Sequence, residues 1–454
     1  MQTINSAAVP LYRQIARRLK AAIESGELAP GKRLPASRVY AREIGVSRAT
    51  VEAAYGELVA QGWLERRGQA GTFISDRLTA GAPRADTARS AVVKSAPLPF
   101  QLGLPGLDLF PRALWARMMG RRLRVQTRAD LAPGDPAGDP ELRRAIVDYL
   151  LFSRGIECRP EQVFVTSGYA AGMALILDTL ARPGDAIWME DPGYRLIRPQ
   201  IAGRGLTLCP VPVDDDGLDV DAGMRTAPDA RFVLVTPAHQ SPTGVPLSLP
   251  RRRQLLAWAA RRQAWIIEDD YDSEFHYRGR PLPPMKSLDA PQRIIYAGTF
   301  SKSLFPALRS GWLVVPEPLV DCFEQQARLA ACTVPTLVQQ TLADFINQGH
   351  FWRHLKKMRQ HYARRREWLV QALAGLGYPT APGAGGLHLM MPVSGSDRAL
   401  AARGREAGLA VQALSDWRLV SNGPGALLMG FTNIADAQMA QRLAEKLIAA
   451  MSEE

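Results

Sequence analysis

The stretch Gly298-Thr299-Phe300-Ser301-Lys302-Ser303-Leu304 sets a lysine between hydroxyl side chains, directly after the apolar run Arg293-Ile294-Ile295-Tyr296. Arg309 stands seven residues further on. A lysine at a strand end can condense with a carbonyl, and an arginine fork among hydroxyls suits a phosphate dianion. Upstream, Trp265-Ile266-Ile267 runs into Glu268-Asp269-Asp270-Tyr271, which brings carboxylates to a second strand end. Thr166-Ser167-Gly168-Tyr169-Ala170-Ala171-Gly172 links a strand to a helix through small residues, so the free N–H groups of that helix can meet an anion. Asp191-Pro192-Gly193-Tyr194 adds an aromatic ring. A Schiff-base lysine, a carboxylate for a ring nitrogen, a stacking ring, a donor to a ring hydroxyl and a phosphate cradle are what a pyridoxal phosphate site requires. Taken singly each has a bland reading: a solvated lysine, an acidic loop, an ordinary turn. Their common placement at strand ends, where ligands of open parallel sheets gather, favours the site.

A second set of residues suits a polyanion. Ser47-Arg48-Ala49-Thr50 puts small donors and a cation at the start of a helix, while Lys32, Arg33, Arg38, Arg66 and Arg67 are within reach of phosphates. The elements that must carry them are legible. Leu11, Ile15, Leu19 and Ile23 recur at four-residue steps, as on an amphipathic helix. Ser37 is the expected N-cap of a short helix to Ile44, ended by Gly45, and Ser47 the cap of the next, with Val51, Tyr55, Leu58 and Val59 on one face. Gly62 to Ile74 reads as two short strands around a glycine-rich tip. Helix, turn, helix and wing in this order make residues 1–75 a winged helix-turn-helix, with its second helix in the DNA major groove. Eleven Lys and Arg against six Glu in this segment agree with that partner; a protein-interaction module with solvated basic residues is the competing reading.

Residues 76–99, rich in Ala, Arg, Thr, Ser and Pro, read as a flexible linker. From 100 to 454, short apolar runs such as Val163-Phe164-Val165, Ala186-Ile187-Trp188-Met189 and Phe232-Val233-Leu234-Val235 alternate with helical patterns, which predicts an α/β domain with a mainly parallel central sheet. The whole chain has 454 residues and a net charge of +12, enough to permit an anionic partner but not to name one. No apolar run reaches the length of a membrane span and no secretory signal is visible, so a cytoplasmic protein is expected. Cys158, Cys209, Cys322 and Cys332 lack paired spacing and read as reduced thiols. His350, His354 and His361 fall on one predicted helix without an acidic or cysteine partner nearby, and no metal is expected. The same helix carries Arg353, Lys356, Lys357, Arg359, Arg364, Arg365 and Arg366, read as a solvated face, and Trp352, Trp368 and Trp417 read as packing residues.

Through Pro30-Gly31-Lys32-Arg33-Leu34-Pro35-Ala36-Ser37-Arg38, Gly45-Val46-Ser47-Arg48-Ala49-Thr50-Val51 and Gly71-Thr72-Phe73, the first segment resembles the GntR-type winged helix. The resemblance implies operator contacts from Arg38, Ser47, Arg48, Thr50 and Gly71. Through the lysine motif, Leu109-Phe110-Pro111, Gly134-Asp135-Pro136 and His239-Gln240-Ser241-Pro242-Thr243-Gly244, residues 101–454 resemble PLP-dependent fold-type I aminotransferases, which carry a smaller α+β subdomain. The whole chain is thus similar to the MocR/GabR-type regulators. Carried over by position, Lys302 forms the Schiff base and Asp269 pairs with the ring nitrogen. Tyr271 reaches the ring hydroxyl, Tyr194 stacks, and Arg309, Thr299, Ser301 and the Gly168, Tyr169, Ala170 turn hold the phosphate. Three positions depart from the aminotransferase pattern: Ser241 replaces an Asn, Pro133 a Tyr, and Leu428 the arginine that clamps a substrate carboxylate, with Arg418 a candidate substitute. The expectation is a homodimeric, PLP-dependent DNA-binding transcriptional regulator. Its effector would be PLP, a small amine or an amino acid, and its targets genes of vitamin B6 or amino-compound metabolism. The alternative is a working aminotransferase with an accessory DNA-binding domain.

Overall fold

The computed structural model describes residues 10–76, 96–330, 334–381, 383–420 and 423–452. Most of the linker expected over 76–99, and Cys332, lie outside them; Cys158, Cys209 and Cys322 are free thiols. The chain divides near residue 94 into two compact units.

The N-terminal unit holds α1 (Leu11–Glu24), α2 (Ser37–Glu43), α3 (Arg48–Ala60) and the hairpin β1 (Leu64–Arg66) and β2 (Thr72–Ile74). Ile15, Leu19 and Ile23 are buried against Val51, Ala54, Tyr55 and Leu58 of α3, while Leu11 stays exposed. Ser47 caps α3, its Oγ accepting from Thr50 N at 3.1 Å. Ser37 does not cap α2. Ala36 takes the cap position and Ser37 is already helical; Leu34 N is spent on Thr72 O in the wing, so the chain turns one residue earlier than a serine cap requires. Gly45 ends α2 at φ +69°, and Val46 N returns to Ala41 O. In the wing Leu64 faces Ile74 and Arg66 faces Thr72, and Arg33 bridges to Phe73 from the other side.

The large unit is built on a sheet of β3 (Val163–Thr166), β4 (Ala186–Asp191), β5 (Thr207–Asp214), β6 (Gly217–Leu218), β7 (Phe232–Val235), β8 (Trp265–Asp270), β9 (Ile294–Thr299) and β10 (Gly311–Val314). Their order is β3-β10-β9-β8-β7-β4-β5-β6. The run β9, β8, β7, β4, β5 is parallel, while β10 is antiparallel to both its neighbours and β6 folds back on β5. Successive residues alternate faces. Ile267 and Ile295 join one core with Phe164, Ile187 and Phe323, and Ile266 and Ile294 join the other with Trp188, Val233 and Trp258. A sheet covered on both faces explains the continuous apolar runs. Residues 388–393 (β11), 412–413 (β12) and 425–430 (β13) form a separate antiparallel sheet in the order β11-β13-β12, packed with the helices His350–Gly375, Asp397–Glu406 and Ala437–Ser452. This is the α+β subdomain. On its long helix Arg353, Lys357 and Arg364 are exposed as expected, but Arg365 and Arg366 turn inward. Among the described residues no helix is long and apolar enough to cross a membrane.

Candidate functional site

The carboxyl ends of β3, β4, β7, β8 and β9 converge, and the lysine motif leaves β9 at that point. Asp269, near the end of β8, is 6% exposed. Burial pushes its carboxyl up to about 8, and the neighbouring Asp270, Glu190 and Asp272 add to the rise. Lys302 Nζ donates to Gly103 O at 2.6 Å. Burial pulls its basicity down, partly offset by Asp272 and Asp269. A buried carboxyl crowded by acids and a buried lysine face the same space.

Around this pair the other candidates assemble. Tyr194 lies edge-on to Tyr169, ring centres 5.8 Å apart. The Tyr271 hydroxyl donates to His239 O at 3.1 Å, with Ser241 alongside. Thr299 Oγ1 accepts from Ser301 N at 3.1 Å. Gly168, at φ +97°, opens the helix Tyr169–Leu180 without a side-chain cap, and a Cβ added there would stand 3.6 Å from the Arg309 guanidinium carbon. Arg309 thus closes a cradle over a bare helix N-terminus, a setting for an anion. Several buried polar atoms here have no hydrogen-bond partner, Ser303 Oγ, Ser310 Oγ and Asp272 Oδ2 among them, while Tyr169 faces Asp269. Unspent donors, an acid lacking a cation and a glycine-floored cradle fit pyridoxal phosphate in charge and in donor type.

Other residues support the site without having been legible as part of it. Glu190 accepts from Thr236 N at 3.1 Å and Thr236 Oγ1 at 2.5 Å, and from Gln240 Nε2 at 3.1 Å. Gln240 also donates to Pro192 O at 2.8 Å, which ties the Tyr194 loop to the Ser241 turn. His354 sits beneath the lysine motif, bonded to Ser303 O at 2.9 Å, and burial holds its ring down at about 4. Arg154 bridges Asp270 at 3.1 Å and Glu274 at 3.0 Å, locking the helix Pro140–Arg154 to the loop after β8. These pairings join segments far apart in the chain, so no local spacing announces them.

Leu428, at the position expected of the carboxylate clamp, is fully buried with Leu414, Trp417 and Ala426, against which Leu102, Tyr194 and Met390 pack. Leu428 is part of an apolar wall. Arg418 spends Nη1 on Gly423 O at 3.0 Å and Nη2 on Pro424 O at 2.7 Å, and is half-buried.

In the N-terminal unit Ser47, Arg48 and Arg38 are exposed on the α2–α3 side, and Thr50 is half-buried. Arg38 and Arg48 form no ion pair among the described residues. Arg66 is paired with Glu52 at 2.9 Å, and Arg67 with Glu65 at 3.3 Å and Asp76 at 2.5 Å. Arg33 lies over Gly71, where an added Cβ would come within 3.0 Å of its Nε.

Fold and site together define a class: a winged helix followed, in one chain, by a domain with the architecture and lysine-centred pocket of an aminotransferase. Residues 11–74 match the gntR family of bacterial regulatory proteins, and residues 114–447 match aminotransferase class I and II. The chain belongs to the MocR-type branch of the GntR-family transcriptional regulators. It is 39% identical over 382 residues to the probable rhizopine catabolism regulatory protein MocR of Rhizobium meliloti, covering 80% of this chain and 77% of that one. It is 32% identical over 434 residues to the pyridoxine biosynthesis transcriptional regulator PdxR of Corynebacterium glutamicum, covering 92% and 91%. Among solved structures, the α-aminoadipate aminotransferase LysN of Thermus thermophilus, complexed with N-(5'-phosphopyridoxyl)-L-leucine, is similar at a TM-score of 0.71 and 25% identity, over 78% of this chain and 92% of that one.

Proposed function

We propose that this regulator binds pyridoxal phosphate at Lys302 and couples the state of that site, changed by the cofactor or by a small amine or amino acid, to DNA binding by its winged helix. The observation that supports the reading is that buried Lys302 and Asp269 share one space, while Leu428 lies in an apolar wall. Asp269 would hold the ring nitrogen as a cation, Tyr271 and Ser241 the ring hydroxyl, Tyr194 one ring face, and Arg309, Thr299, Ser301 and the Gly168, Tyr169, Ala170 turn the phosphate. When bound, the cofactor supplies an electrophilic carbon for amines and an electron sink. The chain's own residues bind and orient; the apolar wall at Leu428 leaves a substrate carboxylate without its usual bidentate partner. Arg48 and Thr50, set by the Ser47 cap, would enter the major groove, with Arg38, Arg33, Arg66 and Arg67 near phosphates and Gly71 letting the wing approach closely. A cytoplasmic homodimer is the working form. The relative named for pyridoxine biosynthesis makes vitamin B6 supply a fitting target class, with amino-compound metabolism the other.

The purified protein, reduced with borohydride, should carry the pyridoxyl label on the tryptic peptide containing Lys302, and Lys302→Ala should lose it while staying folded. Label on another lysine rejects the site. The second reading, a working aminotransferase, draws on the completeness of the set around Lys302. Multiple-turnover transamination of an ordinary α-amino acid establishes it and overturns the first.

A further inference from the structure

Arg366 lies on the inward face of the helix His350–Gly375 and is 8% exposed. Its Nη2 donates to Gly383 O at 2.8 Å, and its Nε is buried with no acceptor. Its neighbour Arg365, equally buried, is paired with Asp108 at 2.6 Å. Arg366 has no such partner among the described residues; burial and the nearby Arg278 lower its basicity, eased only by Tyr277. A buried guanidinium without a counter-ion is costly, so its position favours an anion supplied from outside.

The arginine lines a small cleft with His239, Tyr271, Gly385, His388 and Leu389. Gly385 leaves the room, since a Cβ there would meet His239 Nε2 at 2.2 Å. The acid nearest the cleft, Asp272, is engaged through Oδ1 by His239 at 2.9 Å, and His388 is held by Pro242 O at 2.7 Å. Arg366 is the cation of the cleft without an acid among the described residues, while Asp272 Oδ2, near the cleft-lining Gly386, also lacks a hydrogen-bond partner. Tyr271 belongs both to this cleft and to the cofactor site, and His388 lies close enough to Lys302 to feel its charge. The cleft thus shares Tyr271 with the cofactor site.

We propose that this cleft is the carboxylate subsite of the effector, in which Arg366 takes the acid group of an amino acid whose amine is directed to Lys302. The assignment rests on cofactor binding at Lys302, and it moves the recognition of the acid from the wall at Leu428 to a cleft that Tyr271 lines. An effector recognised at two ends touches both the loop after β9 and the α+β subdomain.

The cofactor-loaded full-length protein is titrated with glycine, β-alanine and 4-aminobutyrate, each beside the matching amine without a carboxylate, and the visible cofactor band is followed. At least one acid should bind about tenfold or more tightly than its amine, the span of one charge-assisted hydrogen bond. Arg366→Gln should abolish that preference, leaving amine affinity and the cofactor band unchanged, and Arg366→Lys should restore part of it. If no acid outbinds its amine, or if Arg366→Gln keeps the preference, the subsite is wrong. A protein that takes up no cofactor at all fails the functional reading first, and this one with it.

Discussion

Asp269 is a carboxyl placed where its anion has water on no side and acids for neighbours. Its proton leaves only near pH 8, and those of Glu190 and Glu268, also buried, near pH 7. In the unfolded chain an aspartate gives up its proton near pH 4. Between about pH 4 and 8 the cofactor-free fold therefore holds more protons than the unfolded chain, and this group makes the fold less stable as pH rises through that window. Asp269→Asn removes the penalty. Without cofactor, the variant should melt progressively above the wild type from pH 5 to 8. At about 1.4 kcal/mol per tenfold change in proton affinity, the gap is of the order of a few kcal/mol. The same variant should bind cofactor more weakly, because the ring nitrogen loses its anion. Parallel melting curves at pH 5 and 8 would show that Asp269 is not the acid held protonated by the fold.

The recognition helix shows how an element sets its side chains. Ser47 closes the first turn of α3, and Ser47→Ala should cost the winged helix about 1 kcal/mol, read by thermal melting. Arg48→Ala should leave stability alone and weaken operator binding by about 1–3 kcal/mol at fixed salt. Arg66→Ala and Arg67→Ala should cost less, since both guanidiniums are already paired with carboxylates. That pairing was invisible in the sequence: Glu52 and Arg66 are fourteen residues apart and meet only because the wing folds against α3. The strand-end residues were legible, because buried strands announce themselves as apolar runs and their ends fall where polar residues begin. Cap chemistry was legible at Ser47 and misleading at Ser37, where the wing's hydrogen bonding fixed the turn. Arg365 and Arg366 looked like part of a solvated stripe. Helical periodicity separates a basic face from a buried one only when the partner surface is known. Glu190 carried no signal, and Gln240 and His354, though noted, showed nothing of their support of the site, since each acts through a segment remote in sequence.

At the scale of the molecule, a net charge of +12 and a basic winged helix make operator affinity a function of salt. Replacing Arg38, placed near a phosphate, by alanine should flatten the plot of log affinity against log salt by about one unit. A homodimer should bind a duplex with two half-sites about 10²–10⁴-fold more tightly than a duplex with one. Equal affinities in a titration of the full-length protein would exclude linked binding. One short hydrogen bond ties the lysine to the start of the large unit. The nitrogen of Lys302 rests on the carbonyl of Gly103, 199 residues earlier, in the first stretch of the large unit after the segment leading from the winged helix. Around it Pro99 O accepts from Ala410 N, Phe100 O from Gly430 N, and Leu104 O from Thr432 at 2.5 Å. Were this nitrogen taken up in a Schiff base it would have fewer protons to donate. Gly103 O would then lose this donor, while the bonds at Pro99, Phe100 and Leu104 keep the stretch seated on the α+β subdomain.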